Sequence, residues 1–425
     1  MKEKIELIVK AFLLSSPFID MLTAFALHSL KIDLTMGIIV RVLFLIFSLW
    51  YLFFIYKGEQ KKLYKGFSLS LIIYIALFFG IVLLDKGKGA IIYEAKNTIK
   101  TFYFPFLLIT FSAMFEEKLD IIPKKYFTYI IVTYLLGIFI PSLLGIGFDT
   151  YEITKKGSLG FFSSANEVGG IISILMPFFF LNLYKDSNFI KTMLGVTILV
   201  YVLLSMGTKT PLLAFIIILT IYLLVFLYKM VKIKNYKKVL GVSFASLITI
   251  VALLLIIPKT TFYKNIKIHL DFLEVDNITD IFKSEELIDH FIFSSRLKFM
   301  KNSVSYYNNA PLLEKLGGIG YIEGYGTDKL SLKTVEMDYV DIFLRHGIIG
   351  SIIYLIIYLY FIREALKRYK KAKDFDKKIT YQISFLLTIL LSFFTGHIIM
   401  APAVSILVVL ILTAQDKKGE LIWEI

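Results

Sequence analysis

Apolar segments of roughly 18 or more residues recur along the chain, and each is long enough to cross the hydrocarbon core of a bilayer, about 30 Å thick. Of the 425 residues, 57% are hydrophobic, which is too many for a soluble globular protein of this size. No alternating strand pattern of transmembrane length occurs, and lipid cannot satisfy a free backbone amide. The sequence therefore predicts an all-α, polytopic membrane protein.

The apolar segments predict about twelve transmembrane helices, and a long polar loop over residues 258–338 separates the ninth from the tenth. The predicted spans cover residues 11–28, 34–56, 66–84, 98–115, 126–146, 165–184, 190–205, 210–228, 239–257, 339–362, 379–397 and 401–414. We interpret residues 1–425 as one integral membrane domain with the 258–338 loop inside it.

Basic residues concentrate in three of the loops between predicted spans, at residues 57–65, 229–238 and 363–378. All three loops fall on the side of the chain termini, so the positive-inside rule predicts that both termini are cytoplasmic. The 258–338 loop is then extracytoplasmic in the cytoplasmic membrane. This topology accounts for the net charge of +14, which in a soluble protein would suggest nucleic acid, and we expect no nucleic-acid partner.

Residues suited to soft metal ligation are scarce. Cysteine is absent, which excludes disulfides and thiolate metal sites. The five histidines have no ligand spacing, which argues against zinc. They are residues 28, 269, 290, 346 and 397. We therefore expect no metal.

Two charged residues lie inside the first two predicted spans. Asp20 near the outer end of the first span and Arg41 near the outer start of the second lie at similar depth, because a helix rises about 1.5 Å per residue. We predict an ion pair between these helices, with a role in their packing or, alternatively, in substrate binding.

Lys209 lies at the predicted outer junction of spans seven and eight, in the sequence SMGTKTP. The proline predicts a helix N-terminus, and a lysine beside free helical amides suits a phosphate. The alternative is an interface lysine whose ammonium group extends to water. Asn166 and Glu167 open span six on the same side, where they predict a helix cap or a supporting contact to the site.

The polar loop contains a predicted amphipathic helix over residues 284–309. Arg296 stands at the edge of its apolar stripe, where a planar guanidinium suits a phosphate and where the alternative is a solvated flank residue. The glycine-rich stretch 317–326 follows. We interpret it as a flexible hinge or cover, since the strand and Lys-Ser/Thr context of a nucleotide loop is missing.

Three carboxylates crowd the point where the chain re-enters the membrane, namely Glu336, Asp338 and Asp341. Carboxylates at a membrane interface cost free energy unless they face a wet cavity, which favours a functional role. Acids near a helix N-terminus are also stabilising, so capping of the tenth span is the alternative.

Several of these features occur together in one known family. They are the twelve spans, the long loop between spans nine and ten, the Gly-Thr-Lys-Thr turn, the loop arginine and the acidic motif before Gly-Ile-Ile-Gly. In this order they resemble the O-antigen ligase and O-antigen polymerase superfamily, in the branch found in surface-polysaccharide clusters of Gram-positive bacteria. The resemblance covers most of the chain and rests on the order of short motifs.

The resemblance implies a GT-C-like fold and transfer of a glycan from polyprenyl diphosphate to an acceptor hydroxyl, without metal, nucleotide or other cofactor. Lys209 matches a basic position where the family usually has arginine, and Arg296 matches the loop arginine, so both are expected to bind the diphosphate. Glu336 occupies the position of a histidine that ligases usually carry, which favours a polymerase. Either Glu336 or Asp338 is then the expected base.

The expected product is a capsular or exopolysaccharide chain, and a flippase and a chain-length regulator of the same pathway are the expected protein partners. Ligase-type transfer to another acceptor is the alternative within the enzyme class. A lipid-linked oligosaccharide flippase is the alternative in a different class, although it does not need a long outer loop with convergent charges. A small-molecule transporter should show paired inverted halves, which the sequence lacks.

Overall fold

The computed structural model describes residues 1–32, 36–151, 155–186, 188–234, 255, 257–322, 333–415 and 421. These residues are helical except for loops and one short antiparallel hairpin, β1 (Phe148–Asp149) and β2 (Ser158–Gly160). The α-helices are α1 (Lys2–His28), α2 (Met36–Trp50), α3 (Lys61–Lys86), α4 (Ile91–Glu116), α5 (Tyr126–Leu144), α6 (Ala165–Asp186), α7 (Phe189–Met206), α8 (Lys209–Lys232), α9 (Thr261–Phe272), α10 (Glu285–Ile292), α11 (Arg296–Asn309), α12 (Leu312–Gly317), α13 (Asp338–Lys371), α14 (Phe375–Phe394) and α15 (Pro402–Thr413).

Nine of the described helices, α1 to α8 and α13, are long and apolar enough to cross a membrane, α2 together with the π-helical turn Tyr51–Ile55 that continues it. They coincide with nine of the predicted spans, which confirms an all-α, polytopic membrane protein. Helices α14 and α15 lie at the eleventh and twelfth predicted spans, but the 12 residues of α15 reach only about 18 Å. The ninth predicted span, 239–257, falls almost entirely outside the described residues.

The chain divides into two compact units by its internal contacts. Unit 1 comprises Met1–Tyr126 and Ser284–Ile425, and unit 2 comprises Phe127–Lys283. The predicted loop 258–338 is therefore divided between them, because its first helix α9 belongs to unit 2 and its later helices to unit 1. The single membrane domain predicted over residues 1–425 stays a prediction.

The interior of unit 1 is built on α4 and α15, which pack against each other. Helix α15 is apolar on every side, and its residues 403–413 are all buried, as expected for a helix without a polar face. Helices α2 and α3 cover α4 and leave large apolar side chains such as Leu43 and Leu77 exposed. Such exposed faces suit contact with lipid.

Helix α13 is broken near its start, where Gly347 has φ 60° and ψ −168°. The loop after α12 lies against this break, and Ile319 and Gly320 donate their backbone N–H groups to the carbonyls of Leu344 (3.2 Å) and Arg345 (3.0 Å). The hydroxyl of Tyr74 donates to the carbonyl of Gly317 at 2.9 Å. Backbone groups that the helix does not pair are thus satisfied by the loop.

The described part of the predicted 317–326 hinge is buried and firmly bonded, so its interpretation as a flexible cover is wrong for residues 317–322. The carboxylate of Glu94 accepts the N–H groups of Tyr321 (2.7 Å) and Ile322 (3.0 Å). Glu94 also pairs with Lys86 at 3.4 Å, and both side chains are buried. These contacts could not be predicted from the sequence, because Glu94 lies on α4, far along the chain from Tyr321 and Ile322.

Candidate functional site

Arg296 owes its position to a break in the predicted helix over 284–309. The prediction of one continuous helix is wrong, because Ser294 and Ser295 adopt left-handed backbone conformations, with φ 54° and 66°, between α10 and α11. The carboxylate of Asp289 accepts the N–H groups of Leu297 and Lys298, both at 2.9 Å, and so caps the new helix start. Arg296 is consequently the first residue of α11.

The Arg296 side chain is 9% exposed and points at the segment before α13. Its Nη2 donates to Glu336 Oε2 at 3.0 Å, and its Nη1 donates to the Phe293 carbonyl at 3.4 Å. Its Nε has no hydrogen-bond acceptor within the described part of the chain. The guanidinium therefore keeps donor capacity beyond its bond to Glu336.

Glu336 is held in a left-handed conformation, with φ 63°, by the carboxylate of Asp341. Asp341 accepts the N–H groups of Val335 and Glu336, both at 2.9 Å, and lies 3.7 Å from the buried guanidinium of Arg345. Asp341 therefore positions the backbone of Glu336. Burial alone would raise the pKa of Glu336, but its interactions with His397 and with Arg296 lower it.

His397 reaches the same carboxylate from the loop between α14 and α15, with its Nε2 3.9 Å from Glu336 Oε1. The sequence does not predict His397 as a site residue, because it lacks metal-ligand spacing. The one signal is the Thr-Gly-His break in an apolar stretch. We call Arg296, Glu336 and His397 the junction cluster. The side chains of Glu336 and His397 are 31% and 36% exposed, so the cluster is open on one side.

Asp338 fixes this loop to the start of α13. Its buried carboxylate accepts the N–H groups of His397 (2.8 Å), Ile398 (3.0 Å) and Ile399 (2.8 Å). The preceding Gly396 has φ 61°, and a Cβ there would lie 2.4 Å from the Glu336 carbonyl oxygen. Non-helical backbone inside a membrane protein needs internal partners of this kind. Asp338 therefore acts structurally in this geometry.

Unit 2 contains a separate basic cluster, formed by Lys155, Lys209 and His269. Gly207 ends α7 in a left-handed conformation, and Lys209 begins α8 as predicted. Lys209 Nζ lies 3.4 Å from His269 Nδ1, and Lys155 is close enough to repel the Lys209 charge. Burial lowers the pKa of Lys155. Positive charge at a helix N-terminus can bind an anion.

Asn265 on α9 assembles the basic cluster. Its side chain accepts the N–H of Lys156 at 2.9 Å and donates to the Lys156 carbonyl and, at 3.2 Å, to the Gly207 carbonyl. One buried amide thus joins the segment after Lys155, the α7–α8 turn and the helix that carries His269. A buried amide with paired donors and acceptor makes a rigid link.

The remaining predicted site residues lie at helix starts or between helices. Ser164 accepts the N–H of Glu167 at 3.4 Å, which confirms the predicted cap of α6, and Asn166 is exposed beside it. Arg41 donates to Asp20 in the predicted ion pair between α2 and α1. Functional roles for these four residues stay predictions. Among the described residues, no three His, Asp or Glu side chains converge as a metal site would require.

Lys209 and Arg296 belong to different compact units, and their predicted contact with one diphosphate stays a prediction.

Two overlapping segments, residues 2–286 and 276–415, match the family described as O-antigen ligase like membrane protein. No curated protein matches the chain. The matched segments cover nearly the whole chain, including both clusters, and agree with its multi-pass helical fold. The chain therefore belongs to the family of O-antigen ligase like membrane proteins, which indicates a membrane glycan ligase or polymerase of the glycosyltransferase type.

Proposed function

We propose that the protein transfers a glycan from a polyprenyl diphosphate to an acceptor hydroxyl at the extracytoplasmic face of the membrane. The junction cluster carries this proposal, because it combines a guanidinium with free donor capacity, a carboxylate and an imidazole in one partly open group. Such a group offers both charge stabilisation and proton transfer. The three basic loops support the proposed orientation.

Breaking the bond between a sugar and a diphosphate builds negative charge on the leaving phosphate. Positive charge placed there in advance lowers the barrier, and a guanidinium presents paired donors that match phosphate oxygens. We assign this role to Arg296. For the basic cluster at the start of α8, we propose anion binding through Lys209, with Lys155 and His269 beside it.

We propose that the acceptor is the glycan of a second lipid-linked repeat unit, so that the product is a capsular or exopolysaccharide chain. A glutamate at position 336, where ligases of the resembled family usually carry histidine, supports a polymerase over a ligase. Ligase-type transfer to another acceptor remains the second candidate, since the two reactions differ only in the molecule that supplies the hydroxyl.

Purified protein in detergent micelles tests this function. With polyprenyl-diphosphate-linked repeat units and excess EDTA, we expect a ladder of longer lipid-linked glycans, because no step needs a divalent metal. Formation of product only after addition of a different glycan acceptor would identify a ligase. Micelles have no second compartment, so a flippase would make no glycosidic bond. Absence of any new bond with every acceptor would contradict the proposed function.

A substitution at Lys209 tests the basic cluster. We expect Lys209→Ala to reduce kcat/KM for the lipid-linked donor by on the order of 10²-fold, the cost of removing one stabilising donor. Lys209→Arg should retain more activity because it keeps the charge. Lys264→Ala is the control, since Lys264 is exposed on α9. Equal activity of Lys209→Ala and the control would remove Lys209 from the mechanism.

A further inference from the structure

We propose that the imidazole of His397 accepts the proton of the acceptor hydroxyl at Nδ1 and that Glu336, which faces Nε2, orients the ring. This inference rests on the proposed glycan transfer and assigns its proton acceptor. It assigns the base to His397, 61 residues after Glu336 in the chain, and not to either of the carboxylates expected from the sequence.

The carboxylates at this junction are committed to other partners. Asp338 uses both oxygens for three backbone N–H groups, and Asp341 uses both for two more. Glu336 pairs with Arg296 at 3.0 Å. A carboxylate that already balances a guanidinium is a weak base, because taking a proton would leave that cation without its partner.

The imidazole of His397 is better placed to receive a proton. Its side chain is 36% exposed at the open side of the junction cluster. Imidazole exchanges protons in the neutral pH range, which suits a general base. The neighbouring carboxylate lies 3.9 Å from Nε2 and would stabilise the imidazolium as it forms. The lowered pKa of Glu336 agrees with a carboxylate that stays ionised throughout.

The charged groups that face His397 come from three elements. Glu336 precedes α13, Asp338 is the first residue of α13, and Arg296 begins α11. Two carboxylates favour the protonated imidazole, and the guanidinium opposes it.

The backbone conformation at His397 is fixed by its neighbours, which restricts the position of the side chain. His397 itself has φ 57°, an uncommon conformation for a residue with a side chain. Its N–H bond to Asp338 and the close approach of Gly396 to Glu336 hold it there. These contacts therefore fix where the imidazole stands relative to Glu336.

The proposed step balances as a substitution at the anomeric carbon. The acceptor oxygen forms a bond to that carbon while its proton passes to Nδ1 of His397, and the N–H at Nε2 stays directed at Glu336. The bond from the carbon to the phosphate oxygen breaks, and its electron pair remains on the polyprenyl diphosphate. The imidazolium then gives its proton to water.

Two substitutions that tolerate a left-handed backbone test this assignment. His397→Asn and His397→Gly should lower kcat by on the order of 10²–10⁴-fold, the range for loss of a general base, with little change in KM for the donor. Added imidazole should restore part of the kcat of His397→Gly and make its pH profile follow the added base. His28→Asn is the control, because His28 lies on α1, outside the junction cluster, and its substitution should leave kcat unchanged.

The outcomes separate this inference from the proposed function. If His397→Asn transfers glycan with the same kcat and pH profile as the wild type, the role of His397 is overturned and the proposed function is left intact. No transfer by the wild type would overturn the proposed function. If neither variant folds, diethyl pyrocarbonate decides: loss of activity in step with modification of His397 supports the role, and full activity after its modification overturns it.

Discussion

If the proposed transfer is correct, we expect Arg296→Ala to lower kcat/KM for the lipid-linked donor by on the order of 10²–10³-fold, the cost of removing one preorganised donor from a developing negative charge. The guanidinium is buried, so water cannot replace it well. The substitution also removes the partner of Glu336 at 3.0 Å and so disturbs the rest of the junction cluster. The measurement is transfer by purified variants in micelles.

Arg296→Lys should recover only part of this activity, because an ammonium group supplies charge without the planar pair of donors. Lys301→Ala provides the matched control, since Lys301 lies on the same helix with its side chain 68% exposed. Both variants must reach wild-type abundance in the membrane for the comparison to hold. Wild-type kcat/KM in Arg296→Ala would exclude Arg296 from the reaction.

Asp338→Ala should destabilise the protein strongly. Three buried or partly buried N–H groups lose their acceptor, and each buried donor left unsatisfied costs about 1–3 kcal/mol. We therefore expect the free energy of unfolding to fall by on the order of 3 kcal/mol or more. Thermal unfolding in detergent measures the effect. Asp338→Asn should lose less stability, because its amide oxygen still accepts.

Glu286→Ala is the control for this substitution, because Glu286 is exposed on α10 and should change stability little. If Asp338→Ala and Asp338→Asn are as stable as the wild type but fail to transfer glycan, Asp338 contacts the substrate, and the base role first expected for it is supported. Loss of stability with proportional loss of active protein supports the structural role.

The membrane helices could be predicted from the sequence because a bilayer imposes a local requirement. A segment must be apolar over about 20 residues whatever it packs against, so hydropathy alone locates α1 to α8 and α13. Capping signals are local too, and Ser164 and Ser284 begin helices as expected. The ion pair of Asp20 and Arg41 followed from their equal depth in neighbouring helices.

The break between α10 and α11 could not be predicted in this way. Amphipathic periodicity continues through residues 293–295, and neither proline nor glycine marks the break. What ends α10 is competition from the Asp289 carboxylate, which pairs with N–H groups of the next turn instead of leaving them to the helix. Such competition depends on three-dimensional placement, and it decides where Arg296 stands.

The sequence by itself determined that this is a polytopic helical membrane protein, and it marked Arg296, Glu336 and Lys209 as residues of interest, because composition and charge act locally. Only the tertiary structure decided which partners they have. It joined Glu336 to Arg296 and His397, and it engaged Asp338 with the backbone of residues 397–399. These contacts link distant parts of the chain, and buried polar groups select such partners by geometry, which no local pattern encodes.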